Sequence, residues 1–366
     1  MSARKSLIGV GIGLAAAGAA TAAGIATDRV LRSRRDQLLA TAAEDTDAAE
    51  TGTVIVADDG VPMYVEIDEN PDGTRQSTVI LVHGYAHSHR VWDQARVAIH
   101  EAGYRMVLPD LRGHGKSEEG DDSSYTIEQL GRDLATVLEQ TTPEGPVVLI
   151  GHSMGGMAIM ALAEQQPDLL RDRVVGVGFV STSAGGLAEV NYGLGKQLGS
   201  VVHRLGPGAV TRAANRQDLF DTARFLGRNV ESALVHRYSF GGPVPKAVIR
   251  EVAEMIFATR LHVIGAFLPT LMEHDRRAIL PAFEGIETLI LHGTRDRITP
   301  IGHGEELAHA LPGAELVVVD GAGHLLPMED PELVDQELLD FLDRAERSAG
   351  SRRTKTVGKS ADSDIS

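Results

Sequence analysis

Short runs of β-branched and aliphatic residues recur along the chain and alternate with longer stretches whose apolar positions repeat at helical spacing. Thr78–Val82, Arg105–Leu108, Val147–Ile150, Val174–Val180, Glu287–Leu291 and Glu315–Val319 are almost wholly apolar inside, which is how strands covered on both faces read. Between them, Thr126–Glu139, Met154–Gln166 and Ile301–Ala310 read as helices. At the front, Thr53–Val56 and Met63–Ile67 flank Asp58-Asp59-Gly60, a hairpin signal. Strand and helix alternating at this spacing predict an α/β fold, with a mostly parallel sheet, right-handed crossovers and helices on both faces.

One junction in this pattern carries chemistry. Val147–Ile150 runs into Gly151-His152-Ser153-Met154-Gly155-Gly156 and then into an Ala- and Met-rich helical stretch. Strand, G-x-S-x-G and helix together make a nucleophile elbow, a turn so tight that only small residues fit on either side of the serine. The helix that follows points its N-terminal N–H groups and the positive end of its dipole toward the place where an oxyanion would form. The same sequence as a plain Gly-rich turn would leave Ser153 an ordinary surface residue; the rest of the chain argues against that by supplying partners.

A serine hydroxyl needs a base within hydrogen-bond reach and a third group to orient that base. The partners should follow in the order acid, then histidine, each in a loop after a strand. Glu287–Leu291 is followed by His292-Gly293-Thr294-Arg295-Asp296, and Glu315–Val319 by Asp320-Gly321-Ala322-Gly323-His324. Asp296 and His324 therefore fall at the strand ends where open α/β sheets carry ligands. Asp275 and Asp320 compete with Asp296 for the acid role, but Asp320 stands too near His324 in sequence. Of fourteen histidines, His152 is expected to pack and to point away from the site. The backbone N–H groups of Met154 and Tyr85 are the expected oxyanion donors, Gly84 letting the loop after Thr78–Val82 come close.

His83-Gly84, the segment Pro109-Asp110-Leu111-Arg112-Gly113-His114-Gly115-Lys116-Ser117, the elbow, the Asp296 loop and Gly323-His324 occur in one order. In this the chain resembles the α/β-hydrolase superfamily, in its lid-bearing branch of esterases, lipases and cofactor-free haloperoxidase-like enzymes, over roughly Thr53 to Ala345. The resemblance implies an α/β-hydrolase fold with a helical lid insertion. It also implies a serine hydrolase cleaving carboxylic esters, of apolar acyl or lipid-like character, through an acyl-enzyme and without a cofactor. Perhydrolase or haloperoxidase-like activity, C–C bond hydrolysis and a ligand receptor built on the same fold are the alternatives. Serine at the elbow argues against epoxide hydrolases and dehalogenases, which carry Asp there.

Gly115-Lys116-Ser117 imitates the end of a phosphate loop, but Asp110 stands where that motif needs Gly, and acidic residues follow. The break in the alternating pattern at 185–282 is too long for a structureless loop. Lys246–Phe257 is amphipathic at helical period and Ala266–Met272 is apolar. A lid over the nucleophile is the expectation, with Phe257, Phe267, Leu268 and Met272 as candidate substrate contacts. The hydrolase core then comprises 51–184 and 283–347, and a tail over 348–366, without apolar period, is expected to be disordered.

Leu7–Ala26 is uncharged and about long enough to span a bilayer. It reads as a membrane anchor at the head of segment 1–50, with cleaved signal peptide (Ala20 to Ala22 offers an Ala-x-Ala site) and soluble extension as alternatives. Arg29, Arg32, Arg34 and Arg35 outnumber Arg4 and Lys5, which places the catalytic domain on the cytoplasmic side if the segment stays; signal cleavage would instead release it. Among 366 residues the net charge is −16 with no basic face, so no nucleic-acid partner is expected. There are no cysteines, which excludes disulfides, a thiol nucleophile and thiolate metal sites, and no histidine spacing suggests a metal. The expected partners are a small ester or lipid substrate and, through the N-terminal segment, a membrane.

Overall fold

In a computed structural model of the protein, residues 52–70, 73–190 and 233–363 are described. The run Leu7–Ala26 and the middle of the 185–282 segment lie outside them. Among the described residues no single helix is long and apolar enough to cross a membrane.

Eight strands form one sheet in the order β1-β2-β4-β3-β5-β6-β7-β8. They are β1 (Thr53–Val56), β2 (Pro62–Asp68), β3 (Thr78–Val82), β4 (Arg105–Pro109), β5 (Val147–His152), β6 (Val174–Val180), β7 (Glu287–Gly293) and β8 (Glu315–Val319). β1 and β2 form the expected hairpin, Val56 facing Pro62. β2 runs antiparallel to β4, and the remaining neighbours are parallel. The helices are α1 (Asp93–Glu101), α2 (Ile127–Thr141), α3 (Met154–Gln165), α4 (Pro167–Arg173), α5 (Lys246–Ala258), α6 (Leu261–Glu273), α7 (Gly302–Ala310), α8 (Leu326–Glu329) and α9 (Pro331–Ser363).

Successive strand residues point to opposite faces, and here each face has its own core. Ile80, Val82, Leu149 and Ile290 join the apolar side of α2 and α3. Val79, Leu81, Val148, Ile150, Leu289 and Leu291 join α1 and α9 instead. Because both faces are covered, the central strands carry hardly a polar side chain before their C-terminal ends, and polar chemistry collects at that edge.

The two ends of the segment between β6 and β7 are joined near Gly185 and Asp275. Gly185 bridges to Asp275, and the Arg276 N–H donates to the Ala184 carbonyl at 2.6 Å. The buried Arg276 guanidinium then reaches Glu128 on α2 and Glu164 on α3. Beyond this neck, Leu280 and Phe283 already belong to the core, Phe283 edge-on to Phe179. Ala282, expected to close the insertion, is itself exposed and lies between the buried Leu280 and Phe283 in the chain. At the other end of the chain, α9 continues to Ser363, where the composition from Ser348 onward predicts disorder. Helix elongation from a packed first half costs little even without an apolar face.

Candidate active site

β5 is followed directly by Ser153, whose φ of 52° and ψ of −117° lie outside the ordinary regions for a residue with a side chain. Space explains why its neighbours are glycines. A Cβ on Gly151 would collide with the Gly156 backbone, and one on Gly155 with the Val82 carbonyl. The turn is held from below by the Ser153 N–H donating to Val180 O at 2.9 Å and by the Thr182 hydroxyl donating to Ser153 O at 2.6 Å.

The three residues singled out in sequence come together. Ser153 Oγ lies 3.0 Å from His324 Nε2, and His324 Nδ1 lies 2.8 Å from Asp296 Oδ2. The carboxylate is locked by its own loop: the Ile298 and Thr299 N–H groups donate to Oδ1 at 2.8 and 2.9 Å, and the Thr299 hydroxyl lies 2.7 Å from Oδ2. Burial would raise the Asp296 pKa, but the His324 imidazole and these hydrogen bonds outweigh it and hold the carboxyl below its usual range. Asp296 is thus ionised and accepts the Nδ1 proton, which leaves Nε2 as the lone pair facing Ser153. The rival acids are engaged elsewhere, Asp275 with Arg277 and Asp320 with Thr294.

The loop after β3 is pressed onto the elbow. A Cβ on Gly84 would stand 3.1 Å from Ser153 Cβ, so Gly84-Tyr85 borders the nucleophile from one side while Met154 opens α3 on the other. The Tyr85 hydroxyl donates to the Ile264 carbonyl, tying this loop to α6. Phe267 is fully buried, its ring 6.4 Å from Tyr85, 5.6 Å from His114 and 5.1 Å from Tyr125. Met272 packs, half-buried, on the same face, and Leu268 is also half-buried. Phe257 is different, packing partly buried against the core of the opposite face of the sheet.

His152 departs from expectation. It does not diverge from the site: its ring lies 4.9 Å from that of His324, and its Nε2 lies 2.9 Å from the His324 carbonyl. Burial first, then the neighbouring His324, push its pKa down to about 3, so the ring is neutral and Nε2–H is the donor. The cause is the elbow itself. The left-handed turn at Ser153 breaks the alternation by which adjacent strand residues face apart. Glu329 was invisible in sequence for another reason: its carboxylate accepts the Gly323 N–H at 2.7 Å and the Gly241 and Gly242 N–H groups at 3.0 and 2.7 Å. It thereby clamps the His324 loop to a segment distant in the chain.

The Asp110 segment is structural. Asp110 accepts from the His89 N–H and ring and from the Lys116 N–H, while Ser117 bonds the Asp110 carbonyl. His83 Nε2 accepts the Leu111 N–H at 2.9 Å. The phosphate-loop imitation is thus one turn of a bracket that holds the loop after β3. Asp58, Asp59 and Asp133 converge as a carboxylate group, with Arg112 reaching Asp59 and Asp133 and Arg132 reaching Asp58. Their charge is met by arginine, and they pin the β1–β2 hairpin to α2. Beside the acid, a cavity of about 520 Å³ lies between Glu189, Arg277, Asp296, Arg297 and His303; neither Ser153 nor His324 lines it.

Residues 77–331 match the alpha/beta hydrolase fold family, and the chain belongs to that family. A relative from Bacillus subtilis, AB hydrolase superfamily protein YfhM, is 25% identical over 291 residues, covering 77% of this chain and 95% of its own. An esterase from Thermogutta terrifontis superposes with a TM-score of 0.62 at 25% identity, over 81% of this chain and 99% of its own. An esterase from Exiguobacterium antarcticum gives a TM-score of 0.64 at 21% identity, over 80% and 99%. The fold and family make the chain a hydrolase.

Proposed function

We propose that this protein hydrolyses carboxylic esters through a Ser153–His324–Asp296 triad and an acyl-enzyme. The observation that carries the reading is the unbroken hydrogen-bonded chain from Ser153 Oγ through both His324 nitrogens to Asp296. Ser153 Oγ attacks the ester carbonyl while His324 Nε2 takes its proton. The tetrahedral oxyanion is stabilised by the Tyr85 and Met154 N–H groups. As the C–O bond to the leaving alcohol breaks, His324 returns the proton to it. Water then repeats the sequence on the acyl-enzyme and releases the acid. The esterase neighbours in structure support the same chemistry.

On this reading α6, with Phe267 one ring away from Tyr85, serves as part of a lid and bounds an apolar acyl pocket. The N-terminal run Leu7–Ala26 serves as a membrane anchor. The deciding experiment is turnover of p-nitrophenyl esters by wild type and by Ser153→Ala, His324→Ala and the double variant. Each single change should lower kcat by several orders of magnitude and the double by little more, because the two groups act as one unit. A fluorophosphonate should label Ser153 alone. Turnover by Ser153→Ala within about tenfold of wild type would sink the assignment.

A further inference from the structure

His87 is the group beside the site whose chemistry the mechanism does not use. It lies in the loop after β3, is 7% exposed, and neither of its ring nitrogens has a hydrogen-bond partner. Its ring stands 5.8 Å from that of His152, edge-on, and His152 in turn lies 4.9 Å from His324. Each neighbouring histidine uses at least one ring nitrogen, although His114 Nε2 and His152 Nδ1 are also without a partner. His83 bonds the Gly84 carbonyl and the Leu111 N–H, His114 the Arg112 carbonyl, His152 the His324 carbonyl, and His324 spans Ser153 and Asp296. Among them only His87 has both nitrogens idle.

Holding it there is unfavourable in two ways. A buried imidazole with an unmade donor and an unmade acceptor forfeits the hydrogen bonds it had with water, and a leucine or phenylalanine would fill the space without that loss. The backbone is strained as well. Ala86, between Tyr85 and His87, adopts a φ of 57°, a left-handed conformation uncommon for a residue with a Cβ. It lets the chain turn so that the His87 N–H meets the Gly84 carbonyl at 3.3 Å. Strain and unmet polarity in a loop pressed onto the nucleophile are what a ligand-reading position looks like before its ligand arrives.

We propose that His87 is a specificity-determining residue that hydrogen-bonds a hydroxyl of the substrate standing next to the scissile ester. Burial, then the charge that His152 and His324 would share with it, hold the ring neutral. It therefore offers one N–H and one lone pair, which matches a hydroxyl, itself donor and acceptor. The inference rests on the ester-hydrolase reading and narrows its substrate class to hydroxy acid esters or partial esters of a polyol, as against plain hydrocarbon esters.

The test uses two isosteric pairs that place the hydroxyl on either side of the ester. Ethyl 3-hydroxybutyrate is compared with ethyl 3-methylbutyrate, and 2-hydroxyethyl butyrate with propyl butyrate. Wild type should favour the hydroxylated member of one pair by about tenfold or more in kcat/KM. His87→Leu and His87→Phe should bring that ratio close to one. His87→Gln, which keeps a donor and an acceptor, should retain the larger part of it. Melting followed by fluorescence of Trp92, the chain's single tryptophan, selects the variants that fold. Equal ratios in wild type and the apolar variants, or a uniform loss on all four esters including in His87→Gln, would overturn the inference. If wild type hydrolyses none of the four although a fluorophosphonate labels Ser153, the inference fails and the hydrolase reading stands. Absence of both labelling and turnover ends both.

Discussion

His152 Nε2 lies 2.9 Å from the backbone carbonyl of His324, so the residue before Ser153 holds the residue whose ring faces the Ser153 hydroxyl. The elbow and the His324 loop are distant in the chain, 172 residues separating His152 from His324, and this bond joins them directly. Glu329 grips the same loop from behind through the Gly323 N–H. The imidazole of His324 is thereby held at three points: Asp296 on the ring, His152 on the carbonyl, Glu329 on the preceding N–H.

Removing the first of these backbone restraints should cost rate with little effect on binding. His152→Phe keeps the ring volume and deletes the donor. One hydrogen bond of this kind is worth about 1 kcal/mol, which converts to roughly a fivefold loss of kcat with KM nearly unchanged. The pH–rate profile should keep its shape, since no proton in the reaction passes through His152. A loss confined to KM would mean that His152 touches substrate and does not position His324.

The buried histidines predict acid lability. Burial holds His83 down to about 4, His114 and His152 to about 3, and His87 well below its usual value. The unfolded chain, with histidine near its ordinary value of about 6.5, binds these protons first. Stability is therefore complete above pH 6.5 and falls as the pH drops toward the folded values. Each histidine contributes a slope of about 1.4 kcal/mol per pH unit, and four together would consume a domain's typical stability of roughly 5–15 kcal/mol within a few units. Trp92 fluorescence and far-ultraviolet circular dichroism should report cooperative unfolding with a midpoint between about pH 4 and 5.5. A native spectrum at pH 3 would contradict this.

His89 adds the opposite slope on the alkaline side. Burial lowers its pKa, but Asp110 and Glu66 outweigh that and raise it to about 9. Its contribution is complete below pH 6.5 and is lost as the pH rises through 9. The stability gap between wild type and His89→Gln should accordingly narrow across that window, measured by denaturant melts at pH 6.5 and 9.5. A gap that stays constant would mean that His89 acts by packing alone.

Much of this molecule was legible in the chain. β3, β6 and β8 fall on the residues that their β-branched runs mark, and Ser153, Asp296 and His324 meet because each sits just past a strand end. What escaped has physical causes. α1 buries only Ala95 and Ile99, too thin a stripe for periodicity to find, so Asp93–Glu101 left no helical signal. Glu329 and the neck at Gly185 and Asp275 are tertiary pairings between distant segments, which no local pattern encodes. His152 turns toward His324, although sequence neighbours of Ser153 would be expected to diverge from it, because the elbow ends strand alternation one residue later.

The proposed N-terminal anchor can be tested apart from the chemistry. Full-length protein should sediment with membranes and be released by detergent, whereas a chain beginning at Thr51 should remain in the supernatant with the same kcat/KM on p-nitrophenyl esters. Mass spectrometry of the full-length product separates the alternatives: an intact N-terminus in the membrane fraction supports the anchor, and one beginning near Ala23 points to signal cleavage. Intact protein wholly in the soluble fraction would remove both.

The placement of Phe267 sharpens what the insertion should do. It is buried against Tyr85, His114 and Tyr125, so truncation to alanine would open the core and cost roughly 3–5 kcal/mol of stability. Phe267→Leu is the better probe, because it leaves an apolar side chain and frees space beside the oxyanion loop. If α6 bounds the acyl pocket, that space should favour longer chains. One buried methylene is worth about 0.8 kcal/mol, or roughly fourfold in kcat/KM. The optimum across C2, C4, C8 and C12 p-nitrophenyl esters should move to longer acyl groups in Phe267→Leu. Phe257→Leu, at a position packed against the core of the other face of the sheet, should leave the profile in place. Profiles that are parallel for both variants and wild type would show that α6 does not read the acyl chain.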